Sequence, residues 1–299
     1  MNTEATLETS MRSVLTQLDG NFEVVVVDES SDRSRDILMK LQVEFPNLVT
    51  VFLDKNNKRT IGDARNISIQ EARGEYCIMH IDCDDYWFPY LIEFTKAFEE
   101  LERILGKDML VAGHQINIAK RSFLLTHGPY RNVEHGEDRD LWMRLAKLGL
   151  YQPVDHVPFF KRMDIGVGKV KKKALLRTYW SVRDEIRGGV RFSFYFKQIF
   201  EKNLVSNMKT RLLRVLLYPF AYISAQSRPS LVTDSLFENP EDWNRYKESN
   251  GGLICDIAAK HNKNIDLNFL TPSAKWIFSN SRSEHSIDEL PDELKKIGA

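Results

Sequence analysis

The stretch "YCIMHIDCDDYWF", Tyr76 to Phe88, decides how this chain is read. Its first half is an apolar run of the length expected for a strand covered on both faces. Its second half places Asp82, Asp84 and Asp85 within four positions. Carboxylates gathered this closely repel one another, and they are stable together only with a cation or a shared proton. Asp82 and Asp84 share one side of an extended segment, and oxygen-only ligands suit a hard divalent ion such as Mg2+ or Mn2+. Asp85 is expected to orient the others or to stabilise the loop.

Helical and strand patterns alternate on both sides of this stretch. Upstream, Leu7, Met11, Val14, Leu15 and Leu18 mark an amphipathic helix over 5 to 18. "FEVVVVD", Phe22 to Asp28, reads as a buried strand, and a helix carrying Ile37, Leu38, Leu41 and Phe45 follows it. A second strand is expected at Leu48 to Leu53, then a loop and helix ending at Gly74. Downstream come a helix over Phe88 to Ile104, a strand at "MLVAG", and a helix in "EDRDLWMRLAKLG" with Leu141, Trp142, Leu145 and Leu148 on one face. Glu137 and Asp138 open that last helix, where the helix dipole favours negative charge. The alternation predicts an α/β chain with a mostly parallel, Rossmann-like sheet and flanking helices. Such sheets bind ligands at the carboxyl ends of their strands, where Asp28 and the Asp82–Asp85 cluster both fall. Asp28 could equally cap the helix that follows it. Trp142 is expected in the core, and His80 and His135 are read first as structural.

The chain has 299 residues, with 42 basic and 42 acidic side chains, a balance that argues against a dedicated nucleic-acid binder. The balance is uneven along the chain: residues 161 to 215 hold 15 basic and 4 acidic side chains, which suits an anionic partner or a solvated helix face. Cys77, Cys83 and Cys255 have no metal-ligand spacing and leave one thiol over in any pairing, so a reducing cytoplasm is the expected setting. No apolar stretch approaches the roughly 20 residues of a membrane span.

Three segments carry a resemblance. "VVVVDESSDRS", "IGDARNISIQEARGEYCIMHIDCDDYW" and "HGEDRDLWMRLAKLG" resemble, in order, the signature regions of the family 2 glycosyltransferases of GT-A fold. The resemblance implies transfer of a sugar from a nucleotide-diphosphate donor to an acceptor hydroxyl, with inversion and with a divalent cation, Mn2+ or Mg2+. By similarity Asp28 contacts the nucleoside, and Asp63 and Arg65 line the nucleotide pocket. Asp84 is the main metal ligand, with Asp82 between metal and ribose. Asp138 is the catalytic base, and Glu137 beside it is taken with it as catalytic. The chemistry fits: a cation offsets charge on the leaving diphosphate, and a separate carboxylate takes the proton of the attacking hydroxyl.

Residues 1 to 160 are thus expected to form the catalytic domain. Residues 161 to 299 are expected to be a basic, mainly helical region that meets the acceptor, a glycan or lipid-linked molecule, or an anionic membrane surface. "RGGVRFSFYFKQIFEK" and "MKTRLLRVLLYPFAYISAQSR" set basic beside aromatic residues, as surface-lying amphipathic segments do, which would place the protein peripherally on the cytoplasmic membrane face. Against the family pattern, the chain opens at "MNTEATLETSM" without the usual first strand. Truncation, completion of the sheet by another segment, and loss of turnover are the three expectations this raises. Two rival functions remain: a nucleotidyltransferase on a similar fold, and a degenerate sugar-nucleotide binding protein.

Overall fold

A computed structural model of the protein describes residues 2–55, 59–133, 136–163, 170–200, 208–231 and 240–292. His135 and Lys169 lie outside the described residues, as do the side chains of Lys171, Lys172 and Lys173.

The N-terminal helix α1 (Leu7–Leu15) buries Leu7, Met11, Val14 and Leu15, the stripe that the spacing predicts. Strand β1 (Val24–Asp28) follows, then α2 (Ser34–Glu44) and β2 (Leu48–Phe52). β1 and β2 pair in parallel, with Val24 opposite Leu48 and Asp28 opposite Phe52. Helix α3 (Ile61–Glu71) leads into β3 (Tyr76–Met79), and the short β4 (Asp85–Trp87) precedes α4 (Leu91–Leu105). The helix expected from Phe88 therefore starts three residues late. Its first positions are held extended, because β4 pairs with β8 (below) and Phe88 N–H donates to the Phe159 carbonyl at 2.9 Å. Pro89 also disfavours helical backbone at the residue before it.

Next come β5 (Leu110–Ala112), β6 (Asn117–Lys120), α5 (Arg121–His127), α6 (Glu137–Lys147), β7 (Tyr151–Pro153) and β8 (Phe160–Arg162). Among the described residues the strands form three sheets, β1–β2, β3–β6–β5–β7 and β4–β8. The α/β class is as expected. The parallel pairs are β1–β2 and β5–β7, whereas β6 runs antiparallel to both β3 and β5. A side-chain clamp joins the first two sheets: Glu23, just before β1, accepts from Gly74 N–H at 3.1 Å and pairs with Arg73 at 2.9 Å, just before β3.

The rest is helical: α7 (Val170–Arg187), α8 (Phe192–Phe200), α9 (Met208–Gln226), α10 (Pro240–Asn250), α11 (Ile254–Lys260) and α12 (Pro272–Ser279). These helices share cores with the strands. Ile254, Ile277 and Phe278 pack with Phe94, Phe98 and Val111, while Val182, Tyr195 and Ala221 pack with Leu141, Leu145 and Tyr151. Burial of such side chains contributes roughly 1.5–3 kcal/mol each, so the helices fix the position of α6 and the strand ends. No described helix is long and apolar enough to cross a membrane.

Candidate active site

The acidic segment is a turn, not the extended run that its spacing suggests. β3 stops at Met79, His80 takes a left-handed conformation with φ of 72°, and Asp85 N–H donates to the Asp82 carbonyl at 3.2 Å. That fold-back brings carboxylate oxygens of Asp82, Asp84 and Asp85 within 4.8 Å of one another. Asp85, expected only to support the loop, is therefore a full member of the cluster. It is completely buried, its Oδ1 meets Arg162 Nε at 3.1 Å, and its Oδ2 is buried without a hydrogen-bond partner. Asp82 Oδ2 accepts from Gln115 Nε2 at 2.8 Å and lies 3.8 Å from Arg162. Burial pushes both the Asp82 and Asp85 carboxyls above the usual carboxylate range. Arg65 opposes the shift at Asp82 and Arg162 opposes it at Asp85, while Asp84 adds repulsion at both. An all-oxygen donor set with one orphaned buried oxygen and excess negative charge fits a hard divalent cation.

Helix α1 holds this turn in place. Thr6 Oγ1 donates to the Cys83 carbonyl at 2.9 Å and Ser10 Oγ to the Asp82 carbonyl at 3.2 Å. Further along the same face, Ser13 Oγ accepts from Trp87 N–H at 3.0 Å and Gln17 Oε1 from Leu91 N–H at 2.9 Å. This polar stripe escapes sequence reading because hydroxyls and amides at helical spacing look like any solvated helix face. Gln115 and Arg162 are missed for a similar reason. They come from the β5–β6 turn and from β8, far from the acidic motif in sequence.

The second acidic centre is the start of α6. Gly136 enters it with φ of 83°, a conformation open to glycine without a Cβ penalty. Glu137, Asp138 and Asp140 then occupy the first turn. Asp140 is fully buried between Arg131, with Nε at 2.9 Å, and Arg144, with Nε at 3.1 Å, and it anchors the helix. Glu137, expected as catalytic, is buried and pairs with Arg65 at 2.7 Å. Burial raises its carboxyl, Arg65 lowers it, and Asp138 adds repulsion, leaving it above the usual range. Asp138 is only partly buried, and its Oδ1 accepts from Arg139 N–H at 2.7 Å.

Arg65 joins the two centres. Its guanidinium lies over the Tyr130 ring at 5.5 Å and feels the charges of Glu137, Asp138 and Asp82 together. Burial alone would lower its pKa, and those anions outweigh burial to raise it. Asp63, two residues before it, closes a capping box with Thr60, accepting from Thr60 N–H at 2.8 Å. Asp28 is buried at the end of β1 and accepts from Ser30 N–H at 3.2 Å, so it turns the loop and does not cap α2. His80 is buried against Tyr130 at 3.0 Å and held neutral by burial. Trp142 packs partly buried beside it, with ring centroids 5.7 Å apart.

Residues 1–127 match the model of Glycosyl transferase family 2. Over this part, less than half of the chain, the sequence is similar to that family. UDP-Glc:alpha-D-GlcNAc-diphosphoundecaprenol beta-1,3-glucosyltransferase WfaP of Escherichia coli is 25% identical over 176 residues, covering 50% of this chain and 68% of that protein. EpsE of Bacillus subtilis is 32% identical over 181 residues, 50% of this chain and 64% of its own length. Among solved structures, TarS of S. aureus (residues 1–349) aligns with a TM-score of 0.43 at 15% identity, covering 81% of this chain and 75% of that one. The family match takes in the acidic turn, Asp28, Asp63 and Arg65. Asp138 and Glu137 lie beyond it and join the site through Arg65.

Proposed function

We propose that this chain transfers a sugar from a nucleotide-diphosphate donor to an acceptor hydroxyl with inversion at the anomeric carbon. The observation that carries this reading is the single guanidinium of Arg65, which sits in the field of both the Asp82 cluster and the Glu137–Asp138 pair. One side chain that reaches both acidic centres sets them within the span of a single donor and acceptor. An inverting transfer needs such an arrangement, with the diphosphate at one side and the base at the other.

Asp82, Asp84 and Asp85 would hold a divalent cation, Mn2+ or Mg2+, and that ion would neutralise charge building on the leaving diphosphate. Asp28, at the end of β1, and Asp63, at the start of α3, line the nucleoside side. As the acceptor oxygen bonds to the anomeric carbon and the bond to diphosphate oxygen breaks, the hydroxyl proton passes to the Asp138 carboxylate. Glu137 keeps Arg65 in place, and Arg65 sets its positive charge beside Asp138. WfaP is named for a UDP-sugar donor and a diphosphoundecaprenol acceptor. Its name supports a nucleotide-diphosphate sugar as donor and a lipid-linked sugar as acceptor; we place the protein peripherally on the cytoplasmic membrane face, where such an acceptor would be met.

The test is Asp138→Asn. Transfer is expected to fall about 10²–10⁴-fold while calorimetric binding of the nucleotide sugar with Mn2+ is retained. Unchanged turnover would remove Asp138 as the base.

A further inference from the structure

Away from the acidic cleft, α8 and α9 carry bare apolar side chains in register. On α9, Leu212, Leu216, Phe220 and Ile223 recur about every fourth residue and are 45%, 69%, 66% and 72% exposed. On α8, Phe196 and Phe200 do the same at 51% and 70%. The opposite sides of these helices are already used, because Ala221, Ala225 and Tyr195 are buried against the core. The two helices adjoin, with the rings of Phe192 and Tyr218 5.0 Å apart. A helix that is apolar on its buried side and again on its outer side has a second partner to meet. The α9 ridge runs for roughly 16 Å at 1.5 Å per residue.

Charge selects that partner. Neither α8 nor α9 contains an acidic residue, and Arg191, Lys197 and Lys209 are exposed beside the ridges. Two copies of this face brought together would set lysines against lysines with no carboxylate on either helix to answer them, a costly juxtaposition. An anionic bilayer surface satisfies both features at once, taking apolar side chains at the acyl boundary and cations at the phosphates. No described helix can cross the bilayer, so the contact is with its surface.

We propose that the α8–α9 ridge docks this protein flat on an anionic membrane surface. The inference deepens the proposed function and rests on its lipid-linked acceptor for its purpose, although the docking itself can be measured without transfer. The ridge is rigidly tied to the cleft. Glu185 on α7 accepts from Tyr195 on α8 at 2.7 Å and pairs with Arg214 on α9. It also pairs at 2.8 Å with Arg139, the neighbour of Asp138. Docking therefore fixes the height and tilt of Asp138 above the lipid headgroups.

The experiment is co-sedimentation of the full chain with phosphatidylcholine–phosphatidylglycerol vesicles and with phosphatidylcholine vesicles at physiological salt. Binding to the anionic vesicles is expected, reduced about tenfold or more in Leu216→Ser/Phe220→Ser and several-fold in Lys197→Gln/Lys209→Gln. All four positions are exposed, so melting temperature and calorimetric nucleotide-sugar binding should match the wild type. No vesicle binding, equal binding to both vesicle types, or wild-type binding by the ridge variant would each overturn the proposal. A wild-type dimer that the ridge variant turns into a monomer, without vesicle binding, assigns the ridge to a second copy and also overturns it. Vesicle binding that persists where no nucleotide sugar binds leaves docking standing and removes the transferase reading alone.

Discussion

Two groups of buried carboxylates lie in this chain and differ in the company they keep. Glu185 is enclosed by Arg139, Arg214, Ser181 and the Tyr195 hydroxyl, and Asp184 by Arg183 and Arg187. In the acidic turn, Asp82, Asp84 and Asp85 share one nearby guanidinium, Arg162, which is 58% exposed, and the more distant field of Arg65. The consequence shows in their proton affinities. Burial pushes Glu185 up, yet Arg214 and then Arg139 outweigh it and hold the carboxyl down at about 2. At Asp82 and Asp85 burial outweighs the opposing Arg65 and Arg162, and both carboxyls rise. A carboxylate group complete within the protein holds the fold together. A carboxylate group left short of positive charge can gain from a bound cation.

The comparison breaks most visibly at Glu185. Glu185→Leu takes from the half-buried Arg139 and Arg214 their shared buried anion, and removing one partner of a fully buried pair costs about 3–5 kcal/mol, an upper bound here. Guanidinium chloride unfolding should show a loss of up to that size. A loss below about 1 kcal/mol would mean that the network is not the brace between α6, α7 and α9. Asp85→Asn should do the opposite in metal-free protein, leaving stability unchanged or slightly raised, because it removes charge from a cluster with too much of it.

The next effect belongs to the acidic turn. A ligand that binds only the folded state stabilises it by about 2.7 kcal/mol at one hundred times its Kd. Saturating Mn2+ should therefore raise the melting temperature of the wild type, and the shift should vanish in Asp84→Asn and in Asp85→Asn. Retention of the full shift in Asp85→Asn would return Asp85 to a purely supporting place.

Acidity separates the two groups by sign. Glu185 has a folded value below its usual 4.5, so its contribution to stability is present above pH 4.5 and is lost as the pH falls toward about 2. Asp82 and Asp85 have folded values above their usual 3.8, so the contribution they make is present below pH 3.8 and is lost as the pH rises through the raised values. Melting curves across this range should show a rise with acidification that Asp85→Asn flattens, followed by a fall that Glu185→Gln flattens. The Mn2+ shift should run the other way and grow with pH, since the cation competes with those protons. A pH-independent Mn2+ shift would place the ion elsewhere.

Much of this contrast was legible in the sequence, and what was not has physical reasons. The strand at Tyr76, the acidic cluster behind it, and the helix opened by Glu137 and Asp138 all follow from periodicity and helix-end charge. The turn that recruits Asp85 did not, because spacing alone gives a carboxylate a face only if the backbone stays extended, and here it folds back. β4 and β8 escaped because three-residue strands such as Asp85–Trp87 carry too little alternation to register. The Glu185 network was invisible for a different reason. "RDE" in a basic region reads as surface charge, and only tertiary packing shows that Arg183, Asp184 and Glu185 are all buried.

The finest test concerns how α1 shapes the acidic turn. Thr6 and Ser10 donate to the carbonyls of Cys83 and Asp82, inside the turn, whereas Ser13 and Gln17 bond the backbone of Trp87 and Leu91 beyond it. One hydrogen bond of this kind contributes about 1 kcal/mol net. If α1 only secures packing, Ser10→Ala and Ser13→Ala should lower metal-free stability alike and leave Mn2+ affinity untouched. If it sets the spacing of Asp82, Asp84 and Asp85, Ser10→Ala should also weaken Mn2+ binding about fivefold, the equivalent of that 1 kcal/mol, while Ser13→Ala should not. Calorimetric titration of Mn2+ into the two variants separates these outcomes. We expect the second, because the Ser10 hydroxyl holds the same Asp82 carbonyl that receives the Asp85 N–H and closes the turn.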